Sequence, residues 1–257
     1  MTVGRVILPS VKLQHLTVDL AETDRTYDEL VSDYWSTHPR FTFVKNVKPG
    51  AVMLDFGAAE GSMMTWLGWM HPVRDDVALS AIDVTLGANF HTYADYDVVD
   101  VSKTRCRYTT GYFDYVVCAL ALEYVAGARA ALRELARVTR PGGLIYVEYP
   151  GKSSTLLPRV EEFRAVGILC EPINFFEDKD HMHLFTEESL ANELRTAGFV
   201  PVTSGIVLND RLAPELLAYG MQHRDAEVTT YGLRLVYPYI SYMVARRLDA
   251  DLLGAAG

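Results

Sequence analysis

Two short runs of the 257-residue sequence carry side chains with chemistry in them. In LDFGAAEGS, residues 54–62, Gly57 and Gly61 stand among the carboxylates Asp55 and Glu60. A glycine-rich turn between a strand and a helix lets backbone come close to a cofactor, and the helix offers its positive end. A pyrophosphate needs that end unopposed, whereas Asp55 and Glu60 make the local field favour a cation. Asp83 follows 26 residues after Gly57, at the end of the next apolar run, where a carboxylate can accept both hydroxyls of a ribose. An adenosine with a cationic amino-acid tail meets both requirements, and S-adenosyl-L-methionine is such a molecule. The second run is DKDHMHLF, residues 178–185. His181 and His183 titrate in the right range for a general base and are the candidate catalytic residues. Structural hydrogen bonding is their simplest reading. A metal pair with Asp178 and Asp180 is a third, but spacing supplies no further ligand and no metal is assigned.

These residues need elements that place them together. Short apolar runs at 51–56, 77–83, 112–120 and 143–150 have strand length and alternate with helix-like segments at 61–70 and 128–140. In the latter, Ala131, Leu132, Leu135 and Val138 share one face. Strands separated by crossover helices imply a parallel, doubly wound sheet whose ligands bind beyond the carboxyl ends of its strands. Residues 1–50 read as a mixed, mostly helical cap, with Tyr27, Leu30, Val31 and Tyr34 on one helical face, and 51–150 as the cofactor-binding half. Residues 151–182 break the rhythm and read as an insertion or lid. In 183–257 the rhythm returns: Thr186 caps a helix that Gly198 ends, and VPVTSGIVL and YISYMVA supply the last strands. The whole is expected as one domain.

Composition limits the partners. A formal net charge of −9 gives no general attraction to a phosphate backbone, so nucleic acid is not expected. Three cysteines without a CxxC pair suggest neither a disulfide framework nor zinc. The N-terminus lacks the apolar core of a signal peptide, and the apolar stretch from Leu235, broken by Pro238, is about half the ~20 residues needed to span a bilayer. A cytoplasmic protein without a membrane segment is expected. The tyrosine-rich tail serves equally as core or as a homodimer interface.

The ordered set of motifs resembles the class I S-adenosylmethionine-dependent methyltransferases, within them the group acting on small molecules and glycans. LDFGAAEG is similar to that family's acid-plus-GxGxG motif, with Ala59 in place of the middle glycine. AIDVT matches its ribose-binding acid at Asp83, and YDVVDVSK the segment whose acid, here Asp100, lies beside adenine. FDYVVCALALEYVAGARAALRELARVTRPGG looks like the fourth strand and the helix after it, with Tyr124 where many relatives have histidine. The resemblance implies a Rossmann-like, seven-stranded sheet with the last strand antiparallel. It also implies cofactor contacts at Asp55, Gly57, Ala59, Glu60, Gly61, Asp83, Val84, Asp100, Val101, Cys118 and Ala119, with S-adenosyl-L-homocysteine as product. The function expected is methyl transfer to a small-molecule or saccharide acceptor, most readily at oxygen in secondary-metabolite or saccharide biosynthesis. The same site used for cyclisation or rearrangement, or kept only for binding, is the alternative. Aromatic residues Tyr27, Tyr34 and Trp35 fit either a lid over a sulfonium or simple packing, and Tyr231, Tyr237, Tyr239 and Tyr242 either an acceptor pocket or strand packing.

Overall fold

The computed structural model describes residues 2–11, 14–21, 23–63, 67–68 and 73–249. The chain opens with strands β1 (Thr2–Val11) and β2 (Gln14–Ala21), followed by helices α1 (Tyr27–Thr37) and α2 (Pro39–Lys45). Strands β3 (Val52–Phe56), β4 (Ala78–Asp83), β5 (Asp95–Val98) and β6 (Phe113–Ala119) come next, then helix α3 (Ala128–Val138) and strand β7 (Thr139–Pro150). The remainder comprises α4 (Val160–Ala165), α5 (Glu187–Ala197), β8 (Phe199–Ile206), α6 (Ala213–His223), α7 (Ala226–Val236) and β9 (Ile240–Arg247). The chain gathers into two compact units: one of residues up to 38 with 150–181 and 206–241, the other of 39–149, 182–205 and the chain from 242.

In the second unit, β3 pairs in parallel with β4 and β6, β4 with β5, and β6 with β7. The complete sheet has seven strands in the order β5-β4-β3-β6-β7-β9-β8, with the last strand antiparallel, as expected. The order reverses at β3 and β6, so the residues following those two strands flank a crevice where backbone and side chains can meet a ligand. The helix expected at 128–140 forms as α3, and its Ala131, Leu132, Leu135 and Val138 are fully buried against Val116, Cys118, Ile145 and Val147. Each such leucine contributes about 2 kcal/mol of burial. α5 also begins and ends as expected: Thr186 Oγ1 accepts from Ser189 N at 3.1 Å, and Gly198 takes φ +95° beyond the last turn. Of the helix expected at 61–70, residues 64–66 and 69–70 lie outside the described residues.

The first unit departs from expectation at its start. Helices do arrive from Tyr27, where Thr26 and Glu29 form a reciprocal cap, but β1 and β2 before them pair as antiparallel strands instead of forming helix. Their register sets Val6 opposite Val18 and Leu8 opposite Leu16. Val6 and Leu8 are buried while Arg5 and Ile7 face outward, a period of two that only a strand can bury on one side. Segment 151–182 holds mainly short turns and α4. Tyr34 is buried and stacks on Tyr231 at 4.5 Å, and the Tyr237 hydroxyl donates to Pro9 O at 2.9 Å, so these aromatics serve packing.

Candidate active site

The turn after β3 is built by backbone. Gly57 N–H donates to Ile82 O at 2.8 Å, which ties the turn to the end of β4. Gly57 has φ +74°, and a Cβ there would stand 2.3 Å from the Cβ of Ala121, so the turn has room only for glycine. Ala59, at the position of the family's middle glycine, also takes a left-handed conformation, φ +46°. Its N–H donates to Asp83 Oδ2 at 2.9 Å, while Asp83 Oδ1 accepts from Thr85 N at 3.0 Å and Thr85 Oγ1 at 3.2 Å. One carboxylate thereby joins the turn to the end of β4. Glu60 faces the neighbouring segment, accepting from Ala88 N at 3.3 Å.

Beyond the strand ends lies a cavity of about 410 Å³. Of the residues the sequence singled out, Gly57, Ala59, Asp83, Val84, Asp100 and Val101 line it. Asp55 and Cys118 are buried within β3 and β6, Ala119 ends β6, and Glu60 and Gly61 belong to the turn, so these five are not in the lining. Burial pushes the Cys118 thiol well above its ordinary value and leaves it unreactive. Asp100 Oδ1 accepts from Ser102 N at 3.0 Å and Ser102 Oγ at 2.6 Å, and Oδ2 pairs with Lys103 at 2.7 Å. Those bonds hold its carboxyl below the usual range.

Sequence reasoning missed Phe56, Val99, Ser102, Lys103, Leu120, Ala121, Val125, Ala126 and Met182, which with Tyr124 complete the wall. Most of them directly follow β5 or β6, and that placement was the available signal. Leu120 has φ +51° and is held there by its N–H bond to Glu148 O at 3.0 Å. Two non-glycine residues in left-handed backbone, Ala59 and Leu120, thus flank one cavity, and such strain collects at sites that bind.

The histidines are placed differently. The cavity lining includes Met182 but not the adjacent His183 of the same unit. His181 Nδ1–H donates to Phe175 O at 2.9 Å and its ring stacks on Phe175 at 4.5 Å. His183 Nε2–H donates to Ala126 O at 3.2 Å. The backbone N–H groups of Met182 and His183 both donate to Glu123 O, at 2.8 and 3.2 Å, so Glu123 anchors this segment. Among the described residues there is no cluster of three metal-ligating side chains and no helix long and apolar enough to cross a membrane.

Comparison with known proteins agrees with this geometry. The family model described as a methyltransferase domain matches residues 27–204. A ubiquinone/menaquinone biosynthesis C-methyltransferase of Hahella chejuensis is 27% identical over 192 residues, covering 65% of this chain and 77% of its own length. A demethylmenaquinone methyltransferase of Mycobacterium tuberculosis is 29% identical over 206 residues, covering 68% and 78%. Among solved structures, an S-adenosylmethionine-dependent methyltransferase from Archaeoglobus fulgidus superposes with a TM-score of 0.54 at 15% identity, covering 87% of this chain and 96% of its own. The chain belongs to the methyltransferase-domain family. It is a class I S-adenosylmethionine-dependent methyltransferase.

Proposed function

We propose that the cavity beyond β3, β4 and β6 holds the methyl donor and that the acceptor is a small, electron-rich molecule methylated at carbon. The residues present fit the donor. A carboxylate accepts about four hydrogen bonds, and the chain gives Asp83 three, one of them from the rotatable Thr85 hydroxyl, so Asp83 has capacity for ribose hydroxyls. Val84, Val99 and Val101 offer apolar walls to adenine, with Asp100 at their side. Asp55 and the turn would meet the amino-acid tail.

S-adenosylmethionine supplies a methyl group already activated by its sulfonium. What the protein must add is alignment of acceptor and methyl carbon and the exclusion of water. For an oxygen acceptor, as the sequence suggested, it must also take a proton before or during attack. The observation that carries the move from oxygen to carbon is the likeness to a relative named as a C-methyltransferase of ubiquinone/menaquinone biosynthesis, since attack by carbon needs no base beforehand. Held by Asp83 and the turn, the donor would supply the methyl group to an aromatic carbon and keep the S–C electron pair as a neutral thioether, and the ring would then lose its proton to water. The relatives named for ubiquinone and menaquinone biosynthesis support the same class of acceptor.

Incubation with ¹³C-methyl donor and a panel of hydroquinones and phenols tests the reading: a product methyl bonded to ring carbon supports it, and one bonded to oxygen replaces it with the oxygen reading. Asp83→Ala is the companion variant. Loss of the ribose acceptor weakens S-adenosylhomocysteine binding in calorimetry by about a hundredfold, or about 3 kcal/mol.

A further inference from the structure

The buried end of β3 carries a charge that the chain itself satisfies only in part. Asp55 is 5% exposed. Among the described residues its Oδ2 accepts a single hydrogen bond, from the Tyr93 hydroxyl at 2.7 Å, and Oδ1 accepts none. Tyr93 is itself buried and fixed. A Cβ on Gly61 would meet its ring at 3.0 Å, and the ring stands edge-on to Tyr96 at 5.7 Å, so the phenol cannot swing away without opening the turn.

The groups that face Asp55 from the surrounding elements do not replace a counter-ion. Arg40, on α2, is the cation whose field reaches it, but that guanidinium is directed onto Glu148 of β7, with Nε at 3.1 Å and Nη2 closer still. Glu148 also accepts from Tyr146 at 2.7 Å. Asp83 on β4, Tyr96 beyond β5's start and the Cys118 thiol on β6 are the other titratable neighbours, and none is cationic. Burial accordingly pushes the Asp55 carboxyl up to about 6; the Tyr93 hydrogen bond and the Arg40 field pull against that rise, and Asp83 adds to it. The Tyr93 phenol, buried beside this carboxyl, is held well above its own ordinary value and stays a donor throughout.

We propose that Tyr93 is a positioning residue of the cofactor site: it holds the Asp55 carboxyl group so that Oδ1 meets the ammonium of the donor's amino-acid tail, a counter-ion that no described residue supplies in full. Cofactor uptake is then coupled to release of a proton at mildly acidic pH. The inference rests on the cofactor reading above and adds to it a residue and a linkage.

Calorimetry of the full chain with S-adenosylhomocysteine between about pH 5 and pH 7, below the range where an α-ammonium loses its own proton, reads that linkage. Adenosine, which lacks the ammonium, is the control ligand. Affinity for S-adenosylhomocysteine is expected to rise about tenfold across this range as Asp55 ionises, with adenosine affinity flat. Tyr93→Phe removes a bond that favours the ionised carboxylate, so the midpoint moves upward by about one pH unit. Asp55→Asn abolishes the slope, and it decides the matter alone if Tyr93→Phe does not fold. A flat profile for S-adenosylhomocysteine, an equal slope for adenosine, or a Tyr93→Phe loss that is the same at every pH overturns the inference while leaving the cofactor reading intact. No binding of either ligand at any pH overturns the cofactor reading, and this inference with it.

Discussion

The turn after β3 and the segment that carries the two histidines both consist of residues with chemistry in them, and the chain treats them in opposite ways. In the turn, backbone geometry does the holding: Gly57 N–H is bonded to Ile82 O, Ala59 N–H to Asp83, and the carboxylates keep oxygen capacity to spare. In the histidine segment each ring gives an N–H to a main-chain carbonyl, Phe175 O or Ala126 O. In the turn the bonds fix backbone and leave carboxylate oxygens for a ligand, whereas in the histidine segment they fix the orientation and tautomer of a ring. That difference, rather than residue type, separates the site from its surroundings, and it can be tested by perturbing each side of it.

The largest effect belongs to the turn. Gly57→Ala puts a β-carbon into left-handed backbone, which costs about 1 to 2 kcal/mol, and drives it into Ala121, whose overpacking adds about 1 to 3 kcal/mol. A loss of about 3 kcal/mol in denaturant unfolding, with an unchanged m value, is expected together with failure to bind S-adenosylhomocysteine. A loss below about 1 kcal/mol would show that the turn relaxes freely and is no cradle.

On the histidine side the effect is smaller and falls on stability instead of chemistry. His181→Ala removes one hydrogen bond and the stack on Phe175, about 1 kcal/mol together, and His183→Gln keeps a donor for Ala126 O. Turnover measured with saturating acceptor is expected to stay within about threefold of the parent for both. A fall of a hundredfold or more in either, the size expected of a missing general base, would erase the contrast and return the oxygen-acceptor reading.

The same contrast explains how much of the molecule could be read from its sequence. Asp55, Gly57, Gly61 and Asp83 were legible as candidates because they stand at fixed spacing at the ends of adjacent parallel strands, where Asp55 sits beside Ala81 in register and Asp83 beside Val98. Tyr93 was not: it meets Asp55 across 38 residues, and no local pattern marks the pairing. The left-handed Leu120 is likewise imposed from outside, by its bond to Glu148 O. The helices α6 and α7 went unnoticed because Gly220, Thr229, Thr230 and Gly232 lower helix propensity. Those glycines turn out to be packing positions: a Cβ at Gly220 would come within 2.4 Å of Thr229 Oγ1, and one at Gly232 within 2.8 Å of Leu217 Cγ. Residues that look like breakers let two helices approach, and their reason lies in the partner helix. The pairing of β1 with β2 carried a period-two signal in Arg5 to Leu8 that was legible in the sequence.

The smallest expected effect tests the subtlest part of the turn. Ala59 stands where the family has glycine, and the chain still forces φ to +46° there, at a cost of about 1 kcal/mol. The bond from its N–H to Asp83 Oδ2 shows what opposes that strain. Ala59→Gly would relieve it, yet glycine also widens the unfolded ensemble, which takes back about 0.4 to 1 kcal/mol. The two terms nearly cancel, so unfolding free energy is expected to change by less than about 0.5 kcal/mol and S-adenosylhomocysteine affinity by less than about threefold. Combining Ala59→Gly with Asp83→Ala sharpens the point. Without the carboxylate that holds it, Ala59 can leave left-handed backbone and shed its strain, so the glycine is expected to favour the double variant by less than it does the parent. A difference of zero between those two backgrounds would mean that the turn is shaped by Gly57 and Gly61 alone and that Asp83 is free of any structural duty.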